Sequence, residues 1–593
     1  MAFTTRPELI GRHGMVASTH WLASSAGMAM LEAGGNAADA AVAAGFVLQV
    51  VEPHLNGLGG DAPILVAGPA DELPDVICGQ GPVPRLATIA AFHELDLVAV
   101  PGSGLLAACV PGAFDAWMTL LRDRGTMRLD QVLAPAIDYA EHGYPVLPGM
   151  AATLESVASL FREHWPTSAA TYLDSGRVPA PGTMARNRVL AETYRRLVGA
   201  AEAAGEDRAA QVDGARQAYY DGFVAAAIDQ FSAGERLLDG SGEAHAGLLR
   251  GEDMGGWTAT VERPLTASFM GMTVCKCGPW SQGPVLLQQL MMLEALGIRD
   301  LSAGSAKWIH TVVEVAKLAF ADRDAWYGDP ASGDVPTEAL LDPDYARRRA
   351  ALVGATASSE LRPGSPGGRA PRMPSEGPGR IPTADVSALG GEPTFGALGH
   401  GDTCHLDVVD RAGMMVSATP SGGWLQSSPV IPALGFCLGT RAQMTWLVEG
   451  LPSSLRPGMR PRTTLSPTML MRDGRPAIAM GTPGGDQQDQ WQIPVILRHL
   501  CHGAGLQEAI DAPNFHTNHR VSSFAPRDVA LRQVLVESRL DPGVISDLEG
   551  RGHDLVDTGP WSLGRVSAVA RHRDGSLRAA ADPRGMQGYA VGR

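Results

Sequence analysis

The 593-residue chain is 45% hydrophobic and 19% charged, enough apolar material for a large core, which excludes whole-chain disorder. Its formal charge is −15 and no long basic run offsets it, so nucleic acid and anionic membranes, which it would repel, are not expected partners. No apolar run reaches the roughly eighteen residues of a membrane span, and the N-terminal stretch MAFTTRPELIGRHGMVAS lacks the apolar segment of a secretory signal, so the expected location is cytoplasmic. The cysteines, Cys78, Cys109, Cys275, Cys277, Cys404, Cys437 and Cys501, contain no CxxC pair and suggest neither a disulfide framework nor a structural zinc site.

In chain order, apolar residues from Trp21 to Leu31 predict a helix that stops at Gly34-Gly35. Asn36 then caps a second helix, Ala37 to Val51, whose apolar circumference places it in a core. After Glu52-Pro53 comes the turn Asn56-Gly57-Leu58-Gly59-Gly60-Asp61, followed by the short apolar strand Ala62 to Ala67. That turn lacks the lysine and the strand-to-helix setting of a phosphate loop, so it reads as structural. Helices are expected near 112–123 and 129–142, and 150–260 is helical and alanine-rich. Leu265 to Cys277 alternates like a strand, and Trp280-Ser281-Gln282-Gly283 matches a nucleophile elbow only loosely, Pro279 standing where a glycine is needed. The chain is helical again from Gln288, and Ser305 to Ala325 sets Trp308, Val312, Val315 and Ala319 on one face.

Residues 362–401 mix Pro, Gly, Ser and Arg without periodicity and are expected to be mobile and exposed. Strands follow at once: His405 to Asp410 with Met414 to Thr419, and Thr468 to Met471 with Ala477 to Met480. Beyond Pro513 short strands alternate with a helix. The junction Gly401-Asp402-Thr403-Cys404-His405 holds a chemical possibility. Cleavage before Thr403 would place a hydroxyl and a free α-amine on one residue, and an α-amine of near-neutral pKa can serve as base for that hydroxyl. Taken alone, the junction reads more simply as a linker that precedes a strand.

Its surroundings change that reading. Gly14-Met15-Val16-Ala17-Ser18, Gly34-Gly35-Asn36-Ala37-Ala38-Asp39-Ala40-Ala41, Val51-Glu52-Pro53-His54, Val110-Pro111-Gly112, the helix Glu314 to Asp324, the stretch Gly401 to Gly485 and the closing Asp582-Pro583-Arg584 occur in this order. Together they resemble the γ-glutamyltranspeptidase family of N-terminal nucleophile hydrolases over nearly the whole chain. The resemblance implies an α+β fold, an αββα four-layer sandwich. It implies autocleavage before Thr403 into fragments 1–402 and 403–593 that remain a heterodimer, with pairing of two heterodimers left open. It also implies a small-molecule substrate, no cofactor and no metal. In it Thr403 is the nucleophile, Ser421 orients its hydroxyl, Gly484 and Gly485 form the oxyanion hole, and Thr463 and Thr464 hold the substrate carboxylate.

The departures from the family pattern concern the substrate. Gln80, in Gly79-Gln80-Gly81, stands where the family has an arginine that pairs with the glutamyl α-carboxylate, and Met444 stands where an aspartate binds the α-amine. Gly423 replaces a supporting asparagine, and Arg441 a glutamine or glutamate. Loss of both charged handles disfavours a zwitterionic glutamyl group, whose buried charges would go unpaired. The expected activity is therefore a hydrolase or acyltransferase acting through an acyl-enzyme on a non-glutamyl acyl or oxo-acid substrate. The alternatives are a carbon–carbon hydrolase that releases an oxalyl unit in actinobacterial antibiotic biosynthesis, a true glutathione hydrolase or transpeptidase, and an unprocessed scaffold without activity. Arg441, Arg460 and Arg462 read either as carboxylate holders or as surface or structural ion pairs. Strand alternation sends Cys404 and His405 to opposite faces, against a Cys/His pair. Gln487-Gln488-Asp489-Gln490 reads as a site wall or a solvated helix start, and Trp424 as a pocket wall or core.

Overall fold

The computed structural model describes residues 3–373, 403–524 and 527–593. Two seven-stranded antiparallel sheets form its centre. The first runs Tyr589–Gly592, Gly14–Ser18, Leu406–Asp410, Met415–Ala418, Ala62–Ala67, Asp75–Gly79, Thr260–Glu262. The second runs Leu9–Gly11, Leu577–Ala581, Ser567–Arg571, Arg475–Gly481, Thr468–Arg472, Met272–Lys276, Leu265–Phe269. Each sheet interleaves strands from before and after residue 403, and Leu406–Asp410 lies between Gly14–Ser18 and Met415–Ala418.

Period-two alternation decides what lies on each face. Val16, Ile64, Val66, Leu406 and Val408 turn outward and pack on the helices Trp21–Glu32, Ala37–Val51 and Ala113–Arg124. Met15, Ala17, Leu65, Ala67, Val409 and Met415 turn inward and meet Met469, Met471, Ala479 and Val569 of the second sheet. Methionine suits that interior, because an unbranched thioether fills the uneven gap between two twisted sheets. The outer face of the second sheet is covered by Gly283–Ala295, Ala306–Trp326 and Gln488–His502. The layers are helix, sheet, sheet, helix, as the resemblance implies.

The helix Ala37–Val51 is buried along its whole length. Its Asn36 cap accepts from the Ala38 and Asp39 N–H groups, while the Asp39 carboxylate accepts from Asn36 N, a reciprocal capping box. Two expectations need correction. Leu265 to Cys277 is a hairpin rather than one strand, because Met270 and Gly271 both take positive φ (49° and 77°) and turn the chain between paired strands. Residues 362–373 are tied down rather than mobile, although Gly367 to Ala370 are exposed as expected: the Trp326 indole donates to Gly364 O, Arg362 reaches Glu314, and Arg372 donates to Gly450 O. Residues 374–402, the rest of that stretch, lie outside the described residues. Among the described residues no helix is long and apolar enough to cross a membrane.

Candidate functional site

Three residues before the strand Leu406–Asp410, Thr403 pairs with Ser421 across an antiparallel bridge, and Ser421 pairs in turn with Asp61. The register of the next strand, Ala62 opposite Gly79, brings Gln80 to the step beside Asp61. Thr403, Ser421, Asp61 and Gln80 therefore stand in one row across four neighbouring strands. By alternation the row shares the face of Leu65 and Cys78, which looks toward the second sheet. All four residues are buried, and the Thr403 and Ser421 hydroxyl oxygens are 3.2 Å apart. The glycine turn Gly57–Gly60 lies directly against Ser421–Gly423: a Cβ on Gly60 would sit 2.0 Å from Ser421 O, and one on Gly57 would sit 2.3 Å from Gly423 O. That close approach of two backbones is what the glycines permit, as the structural reading of this turn expects.

Two further polar rows lie beneath. His405 Nδ1 is 2.8 Å from Thr419 Oγ1, and its Nε2 is 2.9 Å from Asp407 Oδ2. The Ser417 hydroxyl donates to Asp407 Oδ1 at 2.7 Å, and Ser567 of the second sheet donates to Asp407 Oδ2 at 2.9 Å. His405 Nε2, Ser417 Oγ and Ser567 Oγ thus converge on one buried carboxylate. Sequence reasoning missed this ladder. Its signal is the spacing of Thr403, His405 and Asp407 at every second position of an otherwise apolar strand. Cys404 points the other way, its thiol donating to Glu52 Oε2 at 3.0 Å; burial, and then the Glu52 charge, push that thiol's pKa well up. The expectation against a Cys/His pair holds.

Across the gap, Arg475–Gly481 leads through Thr482-Pro483 into Gly484 and Gly485, where the chain turns into the helix Gln488–His502. Both glycines have positive φ, 119° and 52°, and a Cβ on Gly484 would meet the Trp491 ring at 2.2 Å. Asp486 anchors this turn. It is ion-paired with Arg323 and, at 2.9 Å, with Arg520, and it accepts from Ser523 N at 2.9 Å and Ser523 Oγ at 2.6 Å. Burial alone would raise this carboxyl, but Arg323, Arg520 and Arg462 outweigh burial and hold it well below the usual carboxylate range.

Of the residues aligned with substrate recognition, Arg441, Met444 and Gly423 lie near the row. Arg441, in the turn Arg441–Met444, donates Nε and Nη2 to the two carboxylate oxygens of Asp61 at 2.9 and 3.0 Å. Its remaining Nη1 is 3.7 Å from the Met444 sulfur, and Met444 is fully buried. Gln80 is 1% exposed, and neither its Oε1 nor its Nε2 has a hydrogen-bond partner among the described residues. Gly423 packs under the row with φ 65°. Thr463 is fixed by its backbone N–H on Trp280 O at 2.9 Å, whereas the buried Thr464 hydroxyl is unpartnered among the described residues.

These positions are the ones at which the family resemblance places its chemistry, and comparison of the whole chain supports the family itself. The model of the family described as Gamma-glutamyltranspeptidase matches residues 23–592. The chain belongs to that family. It is 31% identical to the glutathione hydrolase-like YwrD proenzyme of Bacillus subtilis, over 99% of each chain. It is also 31% identical to the oxamate amidohydrolase proenzyme of Klebsiella pneumoniae, over 98% of this chain and 99% of that one. Among solved structures it is similar to LmbA2991HD at 53% identity and TM-score 0.93, over 100% of both chains. It is similar to the cephalosporin acylase of Bacillus halodurans at 26% identity and TM-score 0.82, over 100% of this chain and 97% of that one. The protein is thus an enzyme of the γ-glutamyltranspeptidase family with its αββα fold.

Within this family member, several open readings resolve as packing. Arg460 is a structural ion pair, held by Asp329 at 2.8 Å and by Glu262. Gln488, Asp489 and Gln490 are buried rather than a solvated helix start: Asp489 lies 3.1 Å from Lys276 Nζ and accepts from Ser466 Oγ at 2.6 Å. Trp424 is core, its indole donating to Leu55 O at 2.9 Å, with the Arg441 guanidinium 5.4 Å from the ring. Trp280-Ser281-Gln282-Gly283 only opens the helix Gly283–Ala295, the Trp280 indole donating to Glu262. Among the described residues one group of metal-ligand types does come together, His310, Glu314 and His553. Glu314 is engaged by Lys317 and Arg362, and the two imidazoles by each other at 2.8 Å, leaving His553 Nδ1 buried without a partner among the described residues.

Proposed function

We propose that this γ-glutamyltranspeptidase-family enzyme cleaves itself between Asp402 and Thr403 and then uses Thr403 as the nucleophile on an acyl or oxo-acid group that carries no α-ammonium. The observation that carries the reading is the row of Thr403, Ser421, Asp61 and Gln80, in which the one charged pair is already neutralised. In maturation, Thr403 Oγ attacks the Asp402 carbonyl carbon and the C–N bond breaks as its nitrogen gains a proton. Water then hydrolyses the resulting ester, leaving an Asp402 carboxylate and a free Thr403 amine and hydroxyl. Fragments 1–402 and 403–593 stay together because each contributes hydrogen-bonded strands to both sheets.

In turnover, the amine takes the hydroxyl proton as Thr403 Oγ bonds to the substrate acyl carbon, and returns it to the leaving group as that bond breaks. Water, or an amine acceptor, releases the acyl group by the reverse transfer. Ser421 accepts or donates one hydrogen bond at Thr403 Oγ and so restricts its rotamer. Gly484 and Gly485 offer backbone N–H groups to the oxyanion, each worth about 3 kcal/mol in the transition state. Gly484→Ala both strains a positive φ and drives Cβ into Trp491. It is expected to lower kcat by about 10²–10³-fold, measured by steady-state kinetics.

The substrate class follows from what the row offers. Asp61 occupies two of the three Arg441 nitrogens, Met444 is apolar, and the Gln80 amide supplies one neutral donor and one neutral acceptor. Relatives named oxamate amidohydrolase, acylase ACY 1 and cephalosporin acylase fit a pocket of this kind. The test is a panel of acyl, oxamate, oxalyl-bearing and γ-glutamyl compounds, each assayed with and without amine acceptors. A kcat/KM at least about tenfold higher for a substrate without an α-amine is expected, and preference for γ-glutamyl donors would overturn the reading. Gln80→Leu should lower kcat/KM for the preferred substrate by about tenfold, the worth of one buried hydrogen bond, while self-cleavage proceeds unchanged.

A further inference from the structure

Behind the Gly484-Gly485 turn lies a concentration of buried charge that the reaction does not use. Four guanidinium groups, Arg323, Arg462, Arg520 and Arg527, surround two carboxylates, Asp324 and Asp486, in the electrostatics of this region. The carboxylates are engaged by two of the four. Asp486 pairs with Arg323 and Arg520, and Asp324 with Arg323 at 2.8 Å. Among the described residues Arg462 and Arg527 form no ion pair. Arg462 is 4% exposed, donates one hydrogen bond to Ser523 Oγ at 3.0 Å, and leaves Nη1 buried without a partner. Arg527 is 8% exposed and lies 3.9 Å over the Trp446 ring.

Arg462 and Arg527 share a small cavity with Trp446, Ser453, Ser522 and Asp324, with room for a single water-sized particle. Two buried guanidinium groups without an ion pair among the described residues, an orphaned guanidinium nitrogen and a cavity between them are the elements of an anion site. We propose that a free monovalent anion of halide size binds between Arg462 and Arg527. The cavity is too small for a substrate carboxylate with its attached carbon chain, which is why the ion is assigned as free. Burial, and then the neighbouring Arg323, lower the Arg462 pKa to about 9 against the opposing pull of Asp324 and Asp486. Asp324 in the cavity wall opposes an anion, but its carboxylate is engaged by Arg323 and by the Val521 N–H.

The ion has a structural consequence. Arg527 Nη2 donates to Gln443 O at 2.7 Å and Thr445 O at 2.8 Å, the carbonyls that flank Met444 in the turn bearing Arg441. An anion that fixes the Arg527 guanidinium fixes that turn, so the site is coupled to the position of Arg441 and Met444. It does not depend on Thr403 being the nucleophile.

The experiment places wild-type protein in sodium gluconate, whose anion exceeds the cavity, and replaces gluconate by bromide at constant ionic strength. The expected result is a saturable rise in Tm, since a ligand of the native state alone stabilises by mass action. Arg462→Met should abolish the saturable rise and Arg462→Lys should retain a weaker one. Crystals grown in bromide should show an anomalous peak between Arg462 and Arg527. A wild type without a saturable rise, an equal rise in Arg462→Met, or the absence of the peak overturns the proposal. Should Arg462→Met fail to fold, the wild-type peak decides.

Discussion

Thr403→Ala will leave turnover at least about 10⁴-fold below wild type, and no buried group nearby will rescue it. The candidates for rescue are each committed elsewhere. The Cys404 thiol faces Glu52 on the opposite side of the strand and its pKa is pushed well up. His405 is held between Thr419 and Asp407. Ser421 hydrogen-bonds toward Thr403, and the carboxylate of the row, Asp61, is already paired with Arg441. The same substitution leaves the chain in one piece, because the attacking oxygen in maturation and in turnover is one atom. Thr403→Ser, which keeps the hydroxyl but loses the methyl that fixes its rotamer, should cleave and turn over at a reduced rate. Steady-state hydrolysis of the preferred substrate by the two variants separates these outcomes. Residual turnover of Thr403→Ala within tenfold of wild type would remove Thr403 from the mechanism.

Asp486→Asn carries the largest expected cost in stability. The carboxylate is fully enclosed, ion-paired to Arg323 and Arg520, and twice hydrogen-bonded by Ser523. Removing one partner of a buried ion pair costs about 3–5 kcal/mol, since the remaining charge is left uncompensated in a medium that solvates it poorly. Here two guanidinium groups lose their shared partner. Asp486 follows Gly485 directly, so the turn carrying the proposed oxyanion donors loosens as well, and kcat should fall along with Tm. The pH dependence has a definite sign. A carboxyl whose folded-state pKa is depressed contributes stability that is fully present above the ordinary carboxylate range of about 4 and is lost as pH falls through the folded value. The Tm gap between wild type and Asp486→Asn should therefore be constant from neutral pH down to about pH 5 and narrow at more acidic pH. A gap that widens on acidification would mean that Asp486 is not held ionised.

Much of the fold is legible where one residue settles one local question. Asn36 announces a helix start because its side chain can take the first free N–H groups, and it does so with Asp39 returning the bond. Val408 and Val409 belong to different cores because adjacent strand residues cannot share a face. The hairpin at Met270-Gly271 was hidden because a methionine at positive φ leaves no compositional mark, and the apolar alternation only changes phase across it, from Ala267 and Phe269 to Met272 and Val274. The site divides in the same way. Thr403, Ser421, Gly484 and Gly485 sit in recognisable motifs. The Asp61–Arg441 pair joins positions 380 residues apart, and only the fold brings them together. Likewise the polarity of Gln488-Asp489-Gln490 suggested solvent until Lys276 and Ser466 supplied buried partners from distant strands. The polar ladder of Thr403, His405 and Asp407 was present in the sequence as a period of two, but its meaning depends on Thr419, Ser417 and Ser567 across two sheets.

Denaturing intact-mass analysis of the purified wild-type protein tests the central claim most directly. The account predicts two fragments, one ending at Asp402 and one beginning at Thr403 with a free α-amine, from a sample that runs as one folded particle under native conditions. A wild-type chain that remains whole after prolonged incubation, or that is cut at any other bond, would leave Thr403 without the amine that serves as its base and would contradict the mechanism.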